Sequence, residues 1–270
     1  MSFAVLRRNF LATGACVLAV WPWNALAQEN LPEASSVIQR VLRRAEETDQ
    51  AREESKYVYE KRSLSEELDD SGKPIKRNEK VFEVTPIEGV PFSRLIRIQD
   101  RDLTEEEREL QDRREEDFRR RIAQKRPHAR HGMDEDALNS ELVERYDFKV
   151  EKRDWVNKRA VLVLSFHPKK PHAPEKTVED RVLNRLAGQV WVDEEEAEVL
   201  QVRVWLTEDF SIGLFGMICS IKQCDVKIER QRLPDDVWVK KSFAILLGGR
   251  KLLSSMRYRS LEEFYNFRKP

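Results

Sequence analysis

Glycine is scarce in this chain. Nine in 270 residues is about half the usual share, which is near 7%. There is no Gly-rich phosphate loop, no Gly-x-Ser-x-Gly elbow and no His-Glu-x-x-His helix. These absences argue against nucleotide-dependent chemistry and leave the common hydrolase signatures without a match. Histidine is as thin, with four residues. His128, His131, His167 and His172 all sit in loops rich in Lys, Arg and Pro, where neighbouring cations oppose a metal. The acid pairs Asp69-Asp70 and Asp235-Asp236 fall in turns, where such residues ordinarily occur, and nothing marks a glycosidase pair. An excess of either charge is also missing: 49 basic residues face 49 acidic ones, which argues against a nucleic-acid binder. The expectation is a protein that is not an enzyme, with no catalytic residue, metal or cofactor.

Long apolar runs are confined to the start. Arg7-Arg8 is followed by an apolar stretch of about 14 residues at positions 10–23, short of the roughly 20 that span a membrane. Ala25-Leu26-Ala27 then supplies a small-x-small cleavage site before Gln28. Residues 1–27 read as a signal peptide, and residues 28–270 as one exported domain in the periplasm. An uncleaved anchor and an acylated Cys16 are the alternatives, but Thr13-Gly14-Ala15 lacks the aliphatic residue that an acylation site needs. Arg7-Arg8-Asn9-Phe10-Leu11 resembles a twin-arginine export motif. Leu6 and Ala12 depart from it, so both that route and general secretion remain open.

Cysteine is nearly absent too. Beyond Cys16 only Cys219 and Cys224 occur. In an oxidising compartment this pair is a disulfide candidate. The bridge requires a hairpin or bulge between them, because five extended steps exceed the roughly 7 Å limit between Cα atoms.

What the chain does have is charge and alternation. Charged residues make up 36% against about 25% in ordinary domains. Residues 33–50 predict an amphipathic helix with Val37, Ile38, Val41, Leu42 and Ala45 on one stripe. Short alternating segments separated by turn residues follow, up to position 99, and resume at Tyr146. Trp155-Val156-Asn157-Lys158 marks a hairpin, and the unbroken run Val161 to Leu164 predicts a strand covered on both faces. Between the strand regions, residues 103–140 form a charged helical insertion. Thr104 and Glu107 make a capping box. The acids come first and the basic residues last, as the helix dipole prefers, and Leu103, Leu110, Phe118 and Ile122 are the apolar anchors. A second short helix is expected at 134–145. The count is about ten strands. A long antiparallel sheet must curl to bury its apolar face, so the expected fold is α+β: an open half-barrel wrapped on the N-terminal helix.

Gly188-Gln189-Val190-Trp191-Val192-Asp193, followed by an acidic turn and Val199-Leu200-Gln201-Val202-Arg203-Val204, resembles the middle strands of the LolA/LolB-like superfamily of periplasmic lipoprotein carriers. Pro234-Asp235-Asp236-Val237-Trp238 resembles a later strand opening of that family, with Lys240 in place of its Pro. The charged insertion departs from the compact carriers. The resemblance implies lipoprotein sorting in outer membrane biogenesis, with a lipid or lipoprotein acyl chain as partner. Trp191, Trp205, Trp238 and Phe243, with Phe215 in a Gly-flanked apolar loop, are the candidates to line an apolar cavity; their ordinary role would be core packing. The alternative function is a non-enzymatic envelope adaptor that binds another protein through the charged insertion.

Overall fold

Apolar and charged residues alternate along most of the chain, and it folds accordingly as strands. The computed structural model describes residues 30–48, 54–124, 143–212, 219–251 and 254–270, and Leu31–Pro270 forms one body. Its centre is a twelve-stranded sheet in which every pairing described is antiparallel. The strands fall into three groups. The first is β1 (Val58–Leu68), β2 (Pro74–Ile87), β3 (Val90–Ile98) and β4 (Arg101–Asp102). The second is β5 (Tyr146–Val156), β6 (Arg159–Pro168), β7 (Leu186–Asp193) and β8 (Val199–Leu206). The third is β9 (Phe210–Ile212), β10 (Cys219–Arg232), β11 (Trp238–Lys251) and β12 (Ser254–Arg268). The spatial order is β4-β3-β2-β1-β12-β11-β10-β8-β7-β6-β5, with β9 pairing off this path onto β10.

Register shifts interrupt six of the pairings between long strands, for example at Val150/Lys152 and Glu229/Arg230. Each extra residue bends its strand and increases the local twist, which curves the sheet without closing it. Ten expected strands become twelve for identifiable reasons. The two-residue β4 and three-residue β9 carry too little pattern to read. Cys219 and Cys224, which a bridge would need a hairpin or bulge to bring together, stand on one continuous strand, β10.

Among the described residues, three helices complete the body. α1 (Ala34–Glu47) buries Val37, Ile38 and Val41, three of the five residues of the predicted stripe. They pack on Leu162, Leu164, Phe166, Val190 and Val192 of β6 and β7. Here "the α1 face" denotes that side of the sheet. The reverse side of β6 is also covered: Val161 to Leu164 are all at most 1% exposed, as the unbroken apolar run requires. The predicted hairpin forms between β5 and β6, with Asn157 and Lys158 both at positive φ, the conformation that suits the twist of a two-residue loop.

α2 (Glu105–Gln124) is the charged insertion. Its capping box is present: Glu107 N–H donates to Thr104 Oγ1 at 3.3 Å, and Thr104 N–H donates to the Glu107 carboxylate at 2.9 Å. The Arg101 guanidinium, with that backbone bond, holds the Glu107 carboxyl at about 2, well below its ordinary value. Leu103 is buried, but Leu110 is 49% exposed and does not anchor the helix. The remainder of the insertion, including most of the expected second helix, lies outside the described residues. α3 (Val178–Leu183) is a short helix with a complete capping box between Thr177 and Asp180.

Candidate apolar binding site

Residues directly opposite each other in an antiparallel pair share a face, so register assigns every side chain. From the α1 contacts at Val190 and Val192, the same face continues through Val202 and Val204 on β8. It passes to Val226 and Ile228 on β10, and to Phe243 and Ile245 on β11. Cys224, opposite Leu247, extends it. Val202 and Val204 pack against the α1 core. Val226, Ile228, Phe243, Ile245 and Leu247 belong to none of the described core clusters and are only half-buried. They form an apolar stripe beside the helix, carried on two of the longest strands.

The character of this face changes at β12. Opposite Phe243 and Ile245 stand Glu262 and Ser260, and opposite those stand Ser63 and Ser65 of β1. Lys61 reaches Glu262 at 3.5 Å, with its ammonium 5.2 Å from the centre of the Phe82 ring. The face is therefore amphipathic along its width: apolar over β10 and β11, hydroxyl-rich and charged over β12 and β1. The Cys224 thiol within the apolar part is pushed above its ordinary value by burial and by the Asp225 carboxylate, which suppresses thiolate chemistry.

The predicted site residues do not share one surface. Phe243 lies on the apolar stripe. Trp191 and Trp205 occupy the opposite parity, paired with Val163 and Ala187, and face away from α1. Trp191 packs there against Val161, Leu200 and Trp238. Trp238 is 6% exposed; its indole N–H donates to Glu196 at 2.9 Å, and the Arg159 guanidinium lies 5.8 Å from its ring centre. Phe215 lies outside the described residues. The residues that sequence reading passed over are Val226, Ile228, Ile245 and Leu247. The first two were legible in the alternation Asp225-Val226-Lys227-Ile228-Glu229.

The disulfide expectation is corrected. Cys219 and Cys224 carry free thiols and both stand on β10. Five residues of strand rise roughly 16 Å, and the single register shift between them does not fold the strand back to bridging distance. Of the histidines, His167 is exposed on β6 and His172 on the following loop, while His128 and His131 lie outside the described residues. Among the described residues no group of three His, Cys, Asp or Glu side chains is placed to hold a metal ion.

An ion-pair cluster fixes α1 beside the stripe. Asp193, 1% exposed, accepts from the backbone N–H groups of Glu195 and Glu196 at 3.0 and 2.8 Å and pairs with Arg159. Despite its burial, the Arg159 bond and these N–H groups hold its carboxyl below the ordinary value. Arg40 donates to the Glu194 carbonyl at 2.8 Å, and Arg44 reaches Glu198 at 3.0 Å. Glu198 also pairs with Arg230 of β10. The acidic turn predicted between β7 and β8 is thus the clasp between helix and sheet.

Fold and site together define a class: a curved, open antiparallel sheet carrying one amphipathic helix on one face and an amphipathic open surface beside it. This is the open half-barrel wrapped on an N-terminal helix that the sequence pattern predicts. No family model matches the chain, and no curated protein matches it. Among solved structures, similar ones include a domain described as an outer membrane lipoprotein-sorting protein from Vibrio parahaemolyticus. It is 10% identical, with 88% of this chain and 93% of that chain covered and a TM-score of 0.38. A LolA superfamily protein from Nitrosomonas europaea is 9% identical, with 89% and 94% covered and a TM-score of 0.31. A DUF1329 family protein from Desulfovibrio piger is 10% identical, with 88% and 94% covered and a TM-score of 0.32.

Proposed function

We propose that this protein is an exported, non-enzymatic carrier that shelters the acyl chain of a lipid or lipoprotein on the α1 face. The observation that carries the reading is the half-exposed stripe of Val226, Ile228, Phe243, Ile245 and Leu247, bordered by the hydroxyl and charged groups of β12 and β1. An acyl chain laid along β10 and β11 would put its polar end toward Ser63, Ser260 and Lys61. Burial of about ten methylenes supplies roughly 8 kcal/mol before the costs of association, enough for a reversible carrier. The signal-like residues 1–27 support a periplasmic setting for that role.

Native mass spectrometry of protein purified from the envelope tests this directly. A lipid mass is expected on the unaltered chain, and its loss is expected in the Ile228→Glu/Ile245→Glu variant, whose side chains are half-exposed and so tolerate charge. Lipid-free protein in every preparation, or an unchanged lipid load in the variant, rules the reading out. A second reading, an envelope adaptor, draws on α2, which exposes Leu110 and most of its charged residues. Deleting residues 103–140 tests it: partner binding that survives the deletion removes α2 from that role.

A further inference from the structure

α2 carries a second feature, on the side of the sheet away from α1. Arg94 of β3 pairs with Asp112 and, at 3.0 Å, with Glu115. Leu95 N–H on the sheet edge donates to the buried Gln111 at 3.3 Å. These contacts hold the first half of the helix. Beyond them, Phe118 packs on Phe92 with ring centres 5.0 Å apart, and a cavity of about 520 Å³ opens between the helix and β3.

The sequence of α2 decides what surrounds that cavity. Arg114, Phe118 and Arg121 are spaced i, i+4 and i+7 and so share one helix face; all three line the cavity, with Phe92 beneath them. Arg114 donates to the neutral Gln111 amide at 2.7 Å. Neither Arg114 nor Arg121 has a carboxylate within ion-pair distance among the described residues. Their neighbours differ: Arg119 pairs with Glu115, and Arg120 with Asp117, the one acid lining the cavity. Two uncompensated guanidinium groups therefore flank an aromatic floor. On the sheet side, Leu95 turns its N–H outward, so the alternation of the ladder presents the Ser93 backbone on the same edge, where Ser93 lines the cavity. Guanidinium forks recognise carboxylate and phosphate oxygens, and the phenyl rings accept an apolar stem.

The geometry points to this cavity as a binding site for an amphiphilic anion: a carboxylate or phosphate, held by Arg114 and Arg121, on an apolar stem resting on Phe92 and Phe118. It lies on the opposite face of the sheet from the acyl stripe and is independent of the carrier reading.

Isothermal titration calorimetry of the full chain tests it with four probes: octanoate, octyl phosphate, octanol and inorganic phosphate. The comparison uses Arg114→Gln/Arg121→Gln and, separately, the stripe variant Ile228→Glu/Ile245→Glu. Octanoate or octyl phosphate is expected to bind at least tenfold more tightly than octanol or inorganic phosphate. Whichever of the two is tighter identifies the anionic group as carboxylate or phosphate. That affinity should fall at least tenfold in the arginine variant, weaken with added salt, and persist in the stripe variant. Both arginines are solvent-facing, so the variant should melt with the unaltered protein. Equal affinity for octanol, equal affinity for inorganic phosphate alone, or unchanged binding in the arginine variant overturns the proposal. Loss of binding in the stripe variant alone assigns the ligand to the α1 face and also overturns it, leaving the carrier reading intact.

Discussion

Glu198 joins α1 and β10 through a single carboxylate. Its side chain is 8% exposed, and it pairs at once with Arg230, 10% exposed, and Arg44, 36% exposed. The two partners differ in weight. Arg44 is solvated enough that its pair contributes about 1 kcal/mol or less. Arg230 is buried, and removing the carboxylate leaves that charge in a poor dielectric, at a cost of about 3–5 kcal/mol. The carbonyl oxygens of Val199 and Trp238, at 3.2 and 3.4 Å from Arg230, offset part of the loss, so Glu198→Ala should cost about 3 kcal/mol. For a domain of this size that lowers Tm by roughly 6–12 °C. Thermal and urea melts followed by circular dichroism read the change. A double-mutant cycle sharpens it: Glu198→Ala/Arg230→Met, with neither charge present, should recover most of the loss, whereas Arg44→Met alone should cost less than about 1 kcal/mol. A Glu198→Ala protein within about 0.5 kcal/mol of the unaltered chain would refute the weight given to the Glu198–Arg230 pair, since that is the scale of an ordinary surface change.

Three further outcomes follow from the same structure. Gly188→Ala should destabilise by about 2–3 kcal/mol, because a Cβ there would lie 2.3 Å from the Arg203 carbonyl oxygen and 2.4 Å from the Phe166 ring; a urea melt at parity with the unaltered chain contradicts this. Asp180 is held at about 2, below its ordinary 3.8, chiefly by Arg145 and by the backbone of Thr177. Its contribution is therefore full above about pH 4 and disappears as the pH falls through 2; melts across that window should show the slope, and Asp180→Asn should flatten it. Alkylation under denaturing conditions should block both Cys219 and Cys224 without prior reduction, and a reducing agent should leave Tm unchanged; a stabilising bridge would show as the reverse.

Local pattern made much of this protein legible. The stripe on α1, the Thr104/Glu107 capping box, the Asn157-Lys158 hairpin and the doubly buried run at Val161 to Leu164 are all short-range features. Each depends on periodicity or turn chemistry within a few residues, and each is present. The disulfide failed for the same reason in reverse. Its outcome depended on whether a hairpin or bulge brought Cys219 back to Cys224, and pairing with β11 carries one strand through both.

The candidate site was legible only in part, because aromatic residues drew attention that parity did not support. Trp191 and Trp205 sit on strands of the right kind, but at positions that a period of two sends to the far face. Phe243 lies on the near face because its register with Ile228 places it there. Residue type cannot distinguish these cases. Only the pairing of strands distant in sequence can, and a one-residue shift inverts it.

The sequence by itself determined the class of fold: many alternating segments, one amphipathic helix and no chemistry-bearing motif leave a curled sheet with a covered face as the stable arrangement. It also determined that the described start of the insertion, Glu105–Gln124, would be a charged helix. Tertiary structure decided everything that depends on which strands meet. β1 pairs with β12 across nearly the whole chain, setting the hydroxyl-rich surface of the N-terminal strands beside the apolar surface of β10 and β11. α2 comes to rest on β3, where Arg114 and Arg121 flank Phe118. Neither juxtaposition has a local signal, because both arise from long-range pairing whose free energy resides in the assembled sheet.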